Sequence, residues 1–214
     1  MMPMFFKPAE LQSREIKPFD EFPVAFSEGS LAGIIATDEL AGALFVYHTL
    51  SKALPEGPVY HVGPGPSVSP KVLGRLVEDL SNLYAGNVYS IEELLRALES
   101  VEDGSPVIVS NFPALLNRTS EGMVEIRRLV DGKGLIMILM HTTLELNELD
   151  LPGEFRRLYT LPELFETLAV LRTSSYRGHY RLNMTVLRAP AEYVSKVGEH
   201  SIPVDSLVRP LLQP

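Results

Sequence analysis

Apolar residues along the chain fall into short runs separated by amphipathic stretches, and this alternation predicts the elements. Residues 31–37 (LAGIIAT) form an uninterrupted apolar run closed by a capping residue, which predicts a buried strand. Asp38 then caps a helix running to about residue 54, with Asp38 and Glu39 at its positive end. Residues 58–62 (PVYHV) read as a second strand, closed by the loop 63–70 (GPGPSVSP). Ser69 and Pro70 have the form of a helix start. Val72, Leu73, Leu76, Leu80 and Leu83 follow at helical spacing, with Gly86 as the expected stop. A short strand is expected at 87–89. Ser90 and Glu93 form a capping box ahead of a helix that buries Ile91, Leu94, Leu95 and Leu98.

Residues 106–110 (PVIVS) predict another strand, and Thr119 or Ser120 opens a helix through Val130, with a turn at 131–134. Residues 135–140 (LIMILM) are the most apolar run in the chain. Their lack of alternation implies burial on both faces, as at the centre of a parallel sheet. Residues 167–172 and 180–187 read as two strands joined through SSYRG, with Gly178 free to take a positive φ. The strand–helix order repeats at least four times. The expectation is therefore an α/β fold, a doubly wound, mostly parallel sheet flanked by helices and closed by a C-terminal antiparallel hairpin. Residues 1–30 are expected to be irregular, 31–190 to form the domain, and 191–214 to pack on it as an extended arm.

Composition narrows the function classes. Of 214 residues 45% are hydrophobic and 21% charged, which suits a packed domain. The absence of cysteine excludes disulfides, thiolate zinc sites and cysteine nucleophiles. With 17 prolines it also suits a heat-adapted protein. No window approaches the roughly 18 uncharged apolar residues of a membrane span. The N-terminus lacks the basic-then-apolar pattern of a signal peptide, so a cytoplasmic location is expected, without membrane contact. A formal charge of −8 argues against a protein that coats nucleic acid over its whole surface, while leaving room for a local basic patch.

The order of these strings resembles the RecA-like ATPase cores of the archaeal RadA, RadB and KaiC-like group, over residues 31–188. IIATDELAGALFVYHTLSKAL stands where that family has its first strand, phosphate loop and first helix. NVYSIEELLRALES resembles the segment before the second nucleotide motif, and PVIVSNFPALLNR that motif's strand and the stretch after it. GLIMILMHTT resembles the next central strand, and the terminal hairpin resembles the antiparallel strands that close the family's sheet.

The departures from that pattern carry the functional expectation. A phosphate loop needs glycines that let backbone N–H groups wrap the phosphates, a lysine to pair with them and a hydroxyl to hold Mg²⁺. Residues 36–43 (ATDELAGA) have no lysine, no following hydroxyl and one late glycine, and place Asp38 and Glu39 where phosphate would lie. The second motif's strand should end in a carboxylate but ends Val109-Ser110-Asn111. The resemblance thus implies a non-catalytic paralogue, without cofactor, that acts as an interaction or accessory subunit in DNA repair or recombination. Its expected partner is a protein, either itself or an active RecA-like paralogue. An α/β fold of another type, never equipped with the loop, gives the same absence of ATPase chemistry.

Two other clusters stand out. Ser110, Asn111, His141 and Thr142 fall at predicted strand C-termini, where open α/β sheets bind ligands, so they form a candidate polar pocket for a small-molecule enzyme. The alternative is that they tie down loops. None of the five histidines shows metal-ligand spacing, and no metal site is expected. Residues 172–188 hold Arg172, Arg177, Arg181 and Arg188 without an acid, interleaved with Tyr176, His179 and Tyr180. Arg156 and Arg157 lie upstream. Such a composition can grip phosphates and stack on bases, so DNA is a possible partner. The alternative is a strand pair whose arginines cover the sheet and pair with its acids.

Overall fold

The computed structural model describes residues 14–65, 68–116 and 120–213. Its centre is an eight-stranded sheet. The strands are β3 (Leu31–Ala36), β4 (Val59–Gly63), β5 (Leu83–Asn87), β6 (Pro106–Val109), β7 (Ile136–Thr142), β8 (Thr167–Tyr176), β9 (His179–Arg188) and β10 (Gly198–Pro203). They follow a two-stranded pair of β1 (Glu15–Ile16) and β2 (Phe26–Ser27). The order across the large sheet is β10-β9-β8-β3-β7-β6-β4-β5. The six strands from β8 to β5 are parallel, and β9 and β10 complete the sheet antiparallel. The α/β architecture with its C-terminal hairpin is the one the apolar pattern predicts.

The uninterrupted apolar runs occupy the middle, where both faces are covered. In β3, Ala32, Ile34 and Ala36 pack to one side while Leu31 and Ile35 pack to the other; in β7, Ile136, Ile138 and Met140 oppose Met137 and Leu139. This period of two splits each strand between two cores. The first core lies under α1 (Glu39–Ala53) and α6 (Asp205–Leu212), with Phe19, Phe22, Phe26 and Phe45 in mutual contact. The second lies under α3 (Ile91–Ser100), α4 (Glu121–Lys133) and α5 (Leu151–Tyr159), around Phe112, Phe155, Tyr159 and Phe165. Tyr159 is fully buried, and its hydroxyl reaches the carbonyls of Ile34 (2.9 Å) and Leu139 (3.0 Å), tying α5 to adjacent strands. At the opposite end of β3, Glu166 accepts from the Leu31 N–H (2.8 Å) and from Arg127 (2.8 Å), whose guanidinium also bonds the Gly29 carbonyl and Asp131.

Local signals held where a cap or turn fixed them. Ser90 Oγ accepts from Glu93 N–H (3.2 Å), while the Glu93 carboxylate reaches back one residue further than a standard box, to Tyr89 N–H (2.8 Å). Arg177 and Gly178 join β8 to β9 with φ of 51° and 80°, the pair of positive values that a tight hairpin turn requires.

Two segments differ from expectation. The helix expected from Pro70 towards Gly86 is only four residues long, α2 (Pro70–Leu73). The chain leaves it through turns after Gly74, and the Asp79 carboxylate accepts from Ser81 N–H (2.8 Å), which closes a local turn incompatible with a continuing helix. Leu83 then pairs with Val59, and Gly86 lies within β5. The C-terminal arm is not extended. It forms a 3₁₀ turn at Ala191–Lys196, then β10 and α6. His48 Nε2 hydrogen-bonds the Leu207 carbonyl (2.9 Å), and Val208 is buried against the first core. A polar edge strand and an eight-residue helix containing Pro210 leave little periodicity to read.

A candidate site at the strand ends

The junction of β3 and α1 sets the character of the strand C-terminal edge. Thr37 N–H bonds the Leu171 carbonyl (2.9 Å), which continues the β3–β8 ladder to the start of α1. Asp38 is the N-cap: its Oδ1 accepts from Ala41 N–H (2.8 Å) and from the Thr173 hydroxyl (2.6 Å), and its Oδ2 accepts from Thr173 N–H (2.7 Å). A helix N-terminus beside a strand end is where an anion would otherwise be received. Here the anion is a side chain of the protein itself, bound to the helix and to the neighbouring strand β8.

Beside this junction a cleft of about 430 Å³ opens over the C-terminal ends of β4, β6 and β7 and one flank of α1. Connections from β3 and β4 run to the first core and those from β6 and β7 to the second, so adjacent loops diverge and leave a crevice. Two glycines, Gly42 in its wall and Gly63 at the end of β4, allow close approach here. A Cβ at Gly42 would lie 2.9 Å from Thr142 Oγ1, and one at Gly63 would lie 2.6 Å from the Ser110 carbonyl oxygen. A side chain at Gly63 would push β4 from the Ser110 backbone, and one at Gly42 would displace the Thr142 side chain.

Of the predicted pocket residues, Ser110, Asn111 and Thr142 line this cleft. His141 sits behind Asn111, with its Nδ1 3.1 Å from Asn111 Oδ1, and burial with nearby Arg157 lowers its pKa. Asn111 holds a left-handed conformation (φ 51°, ψ 39°), which asparagine tolerates better than most residues, and so turns the chain from β6 into the 3₁₀ helix Phe112–Leu115. His61, on β4, is a further lining residue. It reaches the cleft with its Nε2 2.8 Å from Ser110 Oγ. The ring is 4% exposed, and burial pushes its pKa down to about 4, so it is neutral at pH 7. Glu39, Tyr47, Met140 and Val68 complete the wall. Glu39 is exposed on the first turn of α1, a position fixed by the Asp38 cap.

The arginine-rich hairpin is largely committed to its own fold. Arg172 pairs with Glu148 and donates from Nε to Thr37 Oγ1 (3.3 Å). Arg181 donates to the Ser201 hydroxyl and carbonyl (both 2.9 Å) on β10. Arg188 donates to the carbonyls of Pro162 (2.8 Å) and Phe165 (3.1 Å). His179 meets Asp205 at 3.3 Å. Arg156 pairs with Glu163 and Arg157 with Glu154, on α5. At the tip the Arg177 guanidinium lies 5.0 Å from the ring centroid of Tyr176, which is 71% exposed. A groove of about 590 Å³ runs over the sheet face, with Arg172, Asn183, Thr185 and Glu199 along it.

A feature not singled out from sequence lies between β7 and α5. Leu144 and Leu149 are 83% and 99% exposed, in a loop anchored at one end by Thr143 N–H to the Ala36 carbonyl (2.9 Å) and at the other by the Asp150 cap of α5. The alternation of leucine with acids in TLELNELDL was the available signal. Isolated exposed leucines are common; these two share one loop between β7 and α5.

Among the described residues no helix is long and apolar enough to cross a membrane, and no cluster of three or more His, Asp or Glu side chains is arranged to hold a metal ion. No protein-family model matches the chain, and no curated protein matches its sequence.

Proposed function

We propose that this chain is a non-catalytic protein of RecA-like descent that works by holding a protein partner. The observation that supports this most is the Asp38 carboxylate at the α1 N-terminus. It takes the Ala41 N–H at the helix N-terminus, a donor that a phosphate there would use, and it is fixed to Thr173 by two further hydrogen bonds. Bringing a triphosphate to that point would set it against Asp38 and Glu39, with no lysine or arginine among the described residues lining the adjoining cleft to offset the repulsion.

The loop carrying Leu144 and Leu149 supplies the contact. Its anchored ends lower the ordering cost of binding, and its exposed leucines offer apolar area next to the acidic Glu145. Nucleic acid is the weaker partner class, because Arg172, Arg181 and Arg188 are engaged with groups of this chain, the first two at its surface, while Tyr176 and Arg177 project at the tip.

The test is partner capture with the full chain as bait, comparing wild type with Leu144→Asp/Leu149→Asp after crosslinking in cells of the source organism. A protein retained by wild type and lost by the variant supports the reading. Retention by both, or a bait that captures nucleic acid in a salt-sensitive manner and no protein, contradicts it.

A further inference from the structure

The cleft at the strand ends opens beside the Asp38-capped start of α1, and its wall has a consistent chemistry. Among the described residues its only formally charged lining residue is Glu39, and no described lysine or arginine lines it. Glu39 makes no hydrogen bond or ion pair among the described residues, whereas Asp38 one position earlier is fully engaged. The floor is polar. Ser110 and the neutral His61 are hydrogen-bonded to each other, and with Asn111 Oδ1 turned to His141, the Asn111 amide remains a donor. One flank is apolar, formed by Val46, Val68 and Met140.

These features call for a ligand with three parts: a cationic end for Glu39, a short carbon body for the apolar flank, and a hydroxyl or amide for the Ser110–Asn111 floor. We infer that the cleft is a binding site for a small organic cation, an amine or guanidine a few carbons long that bears a hydrogen-bonding group at its other end. An anion is disfavoured twice, by Glu39 and by the absence of a cationic group among the described lining residues. The site is independent of the partner-binding loop, so either proposal can fail without the other.

The test is an equilibrium titration by calorimetry and ligand-observed NMR, at physiological salt, with one four-carbon series. The probes are 4-amino-1-butanol and agmatine as cations, butane-1,4-diol as the neutral counterpart and 4-hydroxybutyrate as the anion. The cations should bind, the diol weakly and the anion not at all. Glu39→Gln should weaken the cations by about tenfold, the scale of one hydrogen bond to a charged group. Glu39 is exposed, so this variant should fold. Glu121→Gln, on α4 against the other core, controls for diffuse attraction to a chain of net charge −8 and should bind as wild type does. Absence of cation binding overturns the proposal. So does diol or anion binding of equal strength, or an equal loss in Glu39→Gln and Glu121→Gln.

Discussion

Asp38 and Thr173 stand 135 positions apart in sequence, yet both carboxylate oxygens of the first accept hydrogen bonds from the second. The same carboxylate caps α1 through Ala41 N–H, so a single side chain joins β3, α1 and β8 at the end of the sheet. This contact defines the site: the negative charge at the helix N-terminus is supplied from within. Asp38→Ala removes a cap and two charge-assisted bonds and should cost about 2–4 kcal/mol in urea unfolding. Asp38→Asn retains an acceptor for Ala41 and should recover part of the loss.

The His61 ring should make the fold acid-sensitive above the range where carboxylates titrate. Its folded pKa is pushed down to about 4 from 6.5 by burial. Between those values the unfolded chain binds a proton that the folded chain refuses, so stability falls as pH drops from about 6.5 towards 4. Above pH 6.5 this contribution is fully present. The span corresponds to about 3 kcal/mol at most. His48, also lowered by burial, adds in the same direction. Urea unfolding at pH 7.5 and pH 4.5 measures the slope, and His61→Gln should flatten it.

Tyr159 illustrates a bond network with no outlet to water. Its hydroxyl lies between the carbonyls of Ile34 and Leu139, and burial raises its pKa, so it remains a protonated donor across the working pH range. Tyr159→Phe should cost about 1–3 kcal/mol by leaving buried carbonyls short of a partner, with the fold retained. Chemical denaturation checks the magnitude, and an unchanged far-ultraviolet circular dichroism spectrum checks the fold.

The exposed leucines should behave in the opposite way. Leu144→Asp/Leu149→Asp touches no core, so its unfolding free energy should stay within about 0.5 kcal/mol of wild type even though partner capture is lost. A thermal melt run beside the capture experiment separates loss of contact from loss of fold.

Much of the architecture was legible because its central strands are buried on both faces. LAGIIA and LIMILM carry no alternation, and they pair as adjacent parallel strands. The Asp38 cap and the Gly178 turn were also readable, since each rests on a residue with a specific backbone preference. The segment from Val72 to Leu83 was misleading because its leucine spacing satisfied a helix while Gly74 and the Asp79 turn broke it. The α6 contact depends on His48 meeting Leu207 across 159 positions, which no local pattern encodes. The site was half visible. Ser110, Asn111 and Thr142 announce themselves as strand-end polar residues, whereas His61 reads as a strand residue until β4 and β6 are set side by side.

The most direct test of the account is an isothermal titration of the wild-type chain with ATP in the presence of Mg²⁺. With the anion seat filled by Asp38, no saturable heat should be seen, and unfolding free energy should not change with nucleotide. A nucleotide at about 100 times its dissociation constant would add roughly 2.7 kcal/mol, an effect that is easily resolved. Stabilisation of that size would mean that Asp38 yields its place to phosphate, and it would contradict a non-catalytic, partner-binding role.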